Sequence, residues 1–144
     1  MNFTQLHHQN APLLIANVWD VPSALAAQRA GYQAQGTSSA AIADMLGYPD
    51  GEGMSFAELR YIVGRIRAAT TLPLSVDIES GYAESVGDIV DNVLQLSELG
   101  VAGINLEDSH VRDGRRELLD AEHFAKRLQA IREGLATHRV SLFL

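Results

Sequence analysis

The chain has 144 residues, of which 47% are hydrophobic and 20% are charged, a composition typical of an ordinary globular protein. We expect one domain spanning residues 1–144. The net charge of −7 argues against a nucleic-acid or anionic-membrane partner, because either would require a basic face. The chain contains no cysteine, which excludes disulfides and thiol nucleophiles within it and fits a cytoplasmic protein.

Strand and helix patterns alternate along the sequence. Short apolar runs predict strands over residues 13–18, 34–37, 74–78, 103–106 and 140–144. Repeated strand–helix units indicate a parallel sheet with right-handed crossovers.

Helix signals occupy most of the intervals between these strands. Pro22 suits the first turn of a helix that ends near Gly31, and Ser55 with Glu58 predicts a capping box at the start of another. Residues 38–54 contain several glycine and proline turn signals and are expected to form a long loop.

Two architectures fit this alternation. Length alone favours a five-stranded flavodoxin-like open sheet, because a complete (β/α)8 barrel usually needs about 250 residues. The alternative is part of such a barrel, since the sequence stops within the pattern of its fifth strand. The open sheet would suit a non-catalytic binding module, whereas the barrel would suit an enzyme.

Two of the predicted strands end in carboxylates. Asp77 and Glu79 follow the third strand, and Glu107 and Asp108 follow the fourth. Because the carboxyl ends of parallel strands meet at one edge of a sheet, these acids are expected to converge. With no basic residue between them, a cation is expected in their midst, and oxygen ligands suit Mg2+. The alternative is that some of these acids only cap the following helices.

An ordered set of motifs resembles the isocitrate lyase and phosphoenolpyruvate mutase superfamily. The motifs are Asn-Val-Trp-Asp at 17–20, Thr-Ser-Ser at 37–39, Gly-Tyr-Pro-Asp at 47–50, Val-Asp-Ile-Glu-Ser-Gly-Tyr at 76–82 and Gly-Ile-Asn-Leu-Glu-Asp at 103–108. The resemblance implies a (β/α)8 TIM barrel, of which residues 1–144 would form about the first half, and a homo-oligomer, either a tetramer or a dimer. It also implies an enzyme that uses Mg2+, or Mn2+ in its place, to break a C–C or P–C bond of a small 2-oxo or 2-hydroxy carboxylic acid through an enolate.

The resemblance assigns roles to individual acids. Asp77 matches the acid that contacts the metal most directly, and Glu107 matches an acid that holds metal-bound water. Glu79 stands where the better-studied members have Asp, and Asp50 matches a loop acid near substrate and metal. The implied metal set is therefore Asp77, Glu79 and Glu107, with Asp50 as a catalytic candidate.

Three further residues are candidates for contact with the substrate. Ser38 and Ser39 match the segment whose backbone amides and hydroxyls receive the substrate carboxylate, although a turn that satisfies its own backbone is the alternative. Asp77 is a substrate-binding candidate as well as a metal candidate. His110 is a candidate acid or base, and a bystander role in a loop is its alternative.

Two departures from the family pattern bear on the reaction. The lyases carry a cysteine acid in the loop after strand four, and residues 109–115 contain none, which argues against cleavage of isocitrate or methylisocitrate. The Asn-Ala-Arg-Thr-Asp-like motif that the family has on strand five, whose Arg binds substrate, is not found within the 144 residues.

Overall fold

The computed structural model describes residues 2–112 and 114–144. Its helices and strands, in chain order, are α1 (Phe3–His7), β1 (Ile15–Val18), α2 (Val21–Arg29), β2 (Ala34–Thr37), α3 (Ser39–Leu46), α4 (Phe56–Ala69), β3 (Leu74–Asp77), α5 (Val86–Glu98), β4 (Gly103–Asn105), β5 (Ser109–Arg112), β6 (Arg115–Leu118) and α6 (Ala121–Thr137).

Strands β1 to β4 form one parallel sheet in the order β1-β2-β3-β4. Consecutive order is that of a (β/α)8 barrel, in which each strand lies beside the next one along the chain. A flavodoxin-like sheet instead places β1 between β2 and β3. The flavodoxin-like alternative is therefore wrong, and the barrel architecture fits.

Alternation along β3 separates the core from the functional face. Leu74 and Val76 are fully buried in the main hydrophobic cluster, together with residues of α4, α5 and α6. Ser75 and Asp77 alternate with them, and the Ser75 Oγ lies 3.5 Å from the Asn105 Oδ1 on β4. Because successive strand side chains point to opposite faces, β3 presents apolar groups to the helices and polar groups to the other side.

Capping hydrogen bonds fix where the helices begin. The Ser55 Oγ accepts a hydrogen bond from the Glu58 backbone N at 3.3 Å, and the Glu58 Oε2 accepts one from the Ser55 backbone N at 2.8 Å. The predicted capping box at α4 is thus confirmed. The Asp20 side chain caps α2 in the same manner, directly after β1.

Helix α3 occupies much of the segment that was expected to be a loop. Residues 39–46 are rich in alanine and contain Ile42, which is fully buried. Alanine favours a helix more than any other residue, and one buried face is enough to dock a short helix on a core. Gly47 ends α3 with a φ of 81°, so the predicted loop begins after α3 and not at residue 38.

Two predictions near the end of the chain also need correction. Residues 109–112 and 115–118 pair as the antiparallel strands β5 and β6 rather than lying in an open loop. No apolar periodicity marks them, because β6 is exposed along its whole length. The predicted strand over residues 140–144 is reduced, in the described part of the chain, to one parallel bridge between Gly103 and Phe143.

The short helix α1 packs at the amino-terminal edge of the sheet. Phe3 and Leu6 are buried in a second hydrophobic cluster with Ala34, and the His7 ring stacks on Phe143 with 4.0 Å between ring centroids. This contact joins the beginning of the described chain to its end. None of the described helices is both long enough and apolar enough to cross a membrane.

Candidate active site

Asp77 is the last residue of β3 and the centre of a small hydrogen-bond network. Its Oδ2 accepts a hydrogen bond from the Ser39 Oγ at 2.7 Å, and its Oδ1 accepts one from the Glu79 backbone N at 3.0 Å. Its backbone N donates to the Thr37 Oγ1 on β2 at 2.9 Å. The carboxylate is therefore held at the carboxyl edge of the sheet by groups from two neighbouring segments.

Glu79 is the most deeply buried acid at this edge. Its side chain is only 4% exposed, and its backbone has a φ of 51°, which is unusual for a residue with a side chain. Burial foremost, opposed by a hydrogen bond from Ser39 and assisted by the nearby charges of Asp77, Glu107 and Asp50, raises the pKa of Glu79 from the ordinary 4.5 to about 7. The surroundings of Glu79 therefore disfavour its ionised form.

Glu107 reaches the same place from β4. Its backbone N donates to the Glu79 backbone O at 2.7 Å, which joins the turns that follow β3 and β4. Its Oε2 accepts a hydrogen bond from the Ser109 Oγ at 3.1 Å. The convergence of acids expected from strand order is thus present in the structure.

Arg116 of β6 lies among these acids, which the sequence argument did not anticipate. Its guanidinium binds the Glu107 carboxylate and lies 3.3 Å from the Asp50 Oδ2 and 3.9 Å from the Glu79 Oε2. The reasoning that no basic residue separates the acids is therefore wrong in three dimensions. These carboxylates, Glu107 foremost, raise the pKa of Arg116 above its ordinary value.

The oxygen ligands at this edge suit a hard cation, but the Arg116 guanidinium lies between them. The carboxylates are oxygen ligands of the type Mg2+ prefers, and a positive group already lies between them. Within residues 2–112 and 114–144 no three Asp, Glu or His side chains are arranged as a ready metal site. The Arg116 guanidinium occupies the place where a cation was expected.

The loop between α3 and α4 brings two acids to this edge. Asp50 contacts Arg116. Glu52 points the other way, and its Oε1 accepts hydrogen bonds from the Ser80 backbone N at 3.0 Å, the Ser80 Oγ at 2.7 Å and the Tyr82 backbone N at 3.0 Å. Sequence reasoning missed Glu52, because its partners lie about thirty residues away.

The two serines differ in their surroundings. Ser39 is buried and donates to Asp77, so it belongs to the network. The Ser38 Oγ instead accepts a hydrogen bond from the Ala41 backbone N at 3.3 Å and caps α3. The Ser38 hydroxyl thus satisfies a backbone group of its own turn, which was the alternative role considered for it. Ser39 lies beside Asp77, where substrate or metal contacts are expected.

His110 of β5 shares a cavity of about 220 Å3 with Glu79 and Ser80. The His110 Nε2 lies 3.7 Å from the Glu117 Oε2 across the hairpin. The buried Tyr82 hydroxyl makes no hydrogen bond within the described ranges, and burial, followed by the charges of Glu79 and Glu52, raises its pKa. Polar groups thus line a small opening beside the acids.

Comparison with known proteins follows the same features. A family model described as phosphoenolpyruvate phosphomutase matches residues 3–144. The chain belongs to this family. An uncharacterized protein of Mycobacterium tuberculosis is 40% identical over 141 residues, covering 92% of this chain and 48% of that protein. The 2-methylisocitrate lyase of Shewanella oneidensis is 32% identical over 136 residues, covering 90% of this chain and 46% of that protein.

A solved structure agrees with the sequence relatives. A candidate phosphonomutase of Burkholderia cenocepacia has a TM-score of 0.88 and 38% identity, covering 98% of this chain and 56% of that one. The four-stranded sheet is thus part of the TIM barrel of the phosphoenolpyruvate phosphomutase family. The chain spans about half the length of the curated relatives it matches. Relatives in this family are lyases and mutases.

Proposed function

We propose that the chain is part of a Mg2+-dependent enzyme, also active with Mn2+, that breaks a C–C or P–C bond in a small 2-oxo or 2-hydroxy carboxylic acid through an enolate. A dimeric or tetrameric assembly in the cytoplasm belongs to the same proposal. The observation that carries it is the gathering of Asp50, Glu79 and Glu107 around one positive group at the carboxyl edge of a barrel sheet, with Asp77 hydrogen-bonded to the Glu79 backbone beside them.

The family relationship supports the reaction class, and the acids support the metal. Asp77, Glu79 and Glu107 would hold the ion, since Mg2+ uses one or two direct carboxylates and leaves others to orient its waters. When bound, the ion would stabilise negative charge that develops on a substrate oxygen. The Ser39 hydroxyl fixes the orientation of the Asp77 carboxylate, which keeps one acid ready before any ligand arrives.

The proposed substrate groups surround this metal set. Asp50 contacts Arg116, as Glu107 does, and its side chain is half exposed, so it is a candidate catalytic group that a substrate could reach. Ser38 and Ser39 are the candidates to receive the substrate carboxylate, and Asp77 is a candidate for contact with another part of the substrate. His110 shares the cavity with Glu79 and is the candidate general acid or base.

Metal titration of an Asp77→Asn variant tests the proposal. Asparagine keeps the shape of the side chain but removes its charge, so Mn2+ affinity measured by calorimetry should fall by about 10-fold or more. Asp91→Asn on the exposed face of α5 is the matched control and should leave the affinity unchanged. Equal affinity in Asp77→Asn and wild type would remove Asp77 from the metal set.

A substrate screen tests the reaction class. Oxaloacetate and related 2-oxo acids are the first candidates, with product release followed by coupled assays in the presence of Mg2+. Turnover that disappears on chelation and returns with Mn2+ supports the proposal. Turnover that is unaffected by chelation contradicts the metal-dependent mechanism.

A further inference from the structure

Glu52 makes an unusually dense set of contacts for a loop residue. One oxygen, Oε1, accepts three hydrogen bonds, all from Ser80 and Tyr82 in the turn that follows β3. A carboxylate suits this task because it is an acceptor with several lone pairs, and its bonds to N–H and O–H donors are charge-assisted. The contact spans 28 to 30 residues of sequence, so it ties two separate segments together.

The joined segments adopt backbone conformations that need support. Glu52 has a φ of 65°, Tyr82 a φ of 56° and Glu79 a φ of 51°. These left-handed values are uncommon for residues other than glycine and persist where the surroundings fix them. The Glu52 carboxylate helps to hold two of these conformations, because it is the side chain of Glu52 itself and accepts a hydrogen bond from the Tyr82 backbone N.

The residues before Glu52 carry the constraint to the acid cluster. Gly51 packs against β5 so closely that a Cβ atom there would lie 2.3 Å from the Val111 Cγ2. Asp50, which precedes Gly51, contacts Arg116 of β6 at 3.3 Å. Three successive residues thus touch the β3 turn, β5 and β6. Among the side-chain hydrogen bonds of the described residues, those of Glu52 are the ones that fasten this loop to the turn that contains Glu79.

We infer that Glu52 is a positioning residue that fastens residues 48–54 to the β3 turn and thereby holds Asp50 and Glu79 beside one cation position, now occupied by the Arg116 guanidinium. The inference rests on the proposed function only in treating Asp50 and Glu79 as functional acids. Glu52 acts through these two residues, and its own carboxylate is occupied by the turn.

Three variants separate positioning from a general loss of structure. Glu52→Ala removes every acceptor, whereas Glu52→Gln keeps one side-chain oxygen in nearly the same place. Glu84→Ala is the matched control, because Glu84 is an exposed acid in the same turn region with no side-chain hydrogen bond in the described part of the chain. All three substitutions are made in the complete protein and not in an isolated segment.

Amide hydrogen exchange measures the tether directly. In Glu52→Ala, exchange of segments 48–54 and 79–83 should accelerate about 10-fold or more, while helices α4 and α5 exchange as in wild type. Glu52→Gln should stay within about threefold of wild type, and Glu84→Ala should match it. Unchanged exchange in Glu52→Ala, or acceleration that spreads through both helices, overturns the inference.

The effect of Glu52 on the proposed metal site is measured as Mn2+ affinity, which is read from the loss of the paramagnetic resonance signal of the free ion. Supporting residues around a metal typically contribute 10–100-fold in affinity, so Glu52→Ala should weaken binding within that range, and Glu52→Gln should restore most of it. Wild-type affinity in Glu52→Ala overturns the inference. If the wild-type protein binds no Mn2+, the proposed metal chemistry fails, and the exchange result alone decides whether Glu52 positions the loop.

Discussion

Glu79 offers a direct measure of the electrostatic cost of the acid cluster. In the metal-free protein, Glu79→Gln replaces a buried carboxyl of raised pKa with a neutral group of the same shape. The folded pKa of about 7 lies above the ordinary value of 4.5, so between these pH values the folded state binds more protons than the unfolded state. The contribution of Glu79 to wild-type stability should therefore fall as pH rises from 4.5 to 7 and then level off.

The magnitude follows from that interval. At about 1.4 kcal/mol per pH unit, the rise from 4.5 to about 7 corresponds to roughly 3 kcal/mol. Glu79→Gln should thus be about as stable as wild type near pH 4.5 and up to about 3 kcal/mol more stable at pH 8. For a chain of this size, that difference raises the melting temperature by about 10 °C.

Thermal and urea unfolding in chelator, from pH 4.5 to 8.5, is the assay. Glu84→Gln, an exposed acid in the same turn region, is the control and should follow the wild-type curve at every pH. A Glu79→Gln variant that is no more stable than wild type at pH 8 would show that burial does not penalise this charge. An equal gain at pH 4.5 and 8 would assign the effect to packing instead.

Three more outcomes are expected. Arg116→Gln should raise Mn2+ affinity about fivefold and lower the metal-free stability by about 1 kcal/mol, a small loss because Arg116 is 42% exposed and exposed ion pairs are weak. Arg115→Gln is the matched control, and weaker Mn2+ binding by Arg116→Gln in calorimetry would contradict the prediction. Methylisocitrate cleavage should be about 10^2 to 10^4-fold slower than in lyases with a cysteine acid, because the chain contains none; rapid pyruvate release would point to another acid. A polypeptide of residues 1–144 should self-associate through the open edge of β1, beside which Leu14 is 73% exposed, and through residues 140–144, which bridge to β4 at Phe143; sedimentation as a monodisperse monomer with sharp unfolding would refute this.

The strands and helix starts were predictable because their signals are local. Leu74 and Val76 alternate with polar residues over four positions, and the Ser55–Glu58 pair closes within one turn. Helix α3 was missed because glycine and proline turn signals follow it closely, although its alanines favour a helix. The acids were predictable as a group because parallel strands end at one edge.

Arg116 could not be placed from the sequence for a physical reason. It meets Asp50 across 66 residues, and that contact depends on β6 folding back over the sheet as part of a hairpin. The residues of β6 are all exposed, so no apolar periodicity reveals the strand. The only local signal is the pair of adjacent arginines, which the surface of any acidic protein could carry.

The charge balance of the cluster leads to a last prediction, which concerns protons. Glu79 has a pKa of about 7, chiefly because it is buried and also because Asp77, Glu107 and Asp50 lie near it, although the Arg116 guanidinium is 3.9 Å away. A divalent cation among the same oxygens would lower that pKa, since a nearby cation favours the ionised carboxyl. Mn2+ binding at pH 6.5 should therefore release a proton from most molecules, about 0.7 per ion on average, and the release should approach zero at pH 8.5. Calorimetry in buffers of different ionisation enthalpy measures this number, and Glu79→Gln should abolish its pH dependence. Proton release that is the same at both pH values would mean that the ion binds away from Glu79.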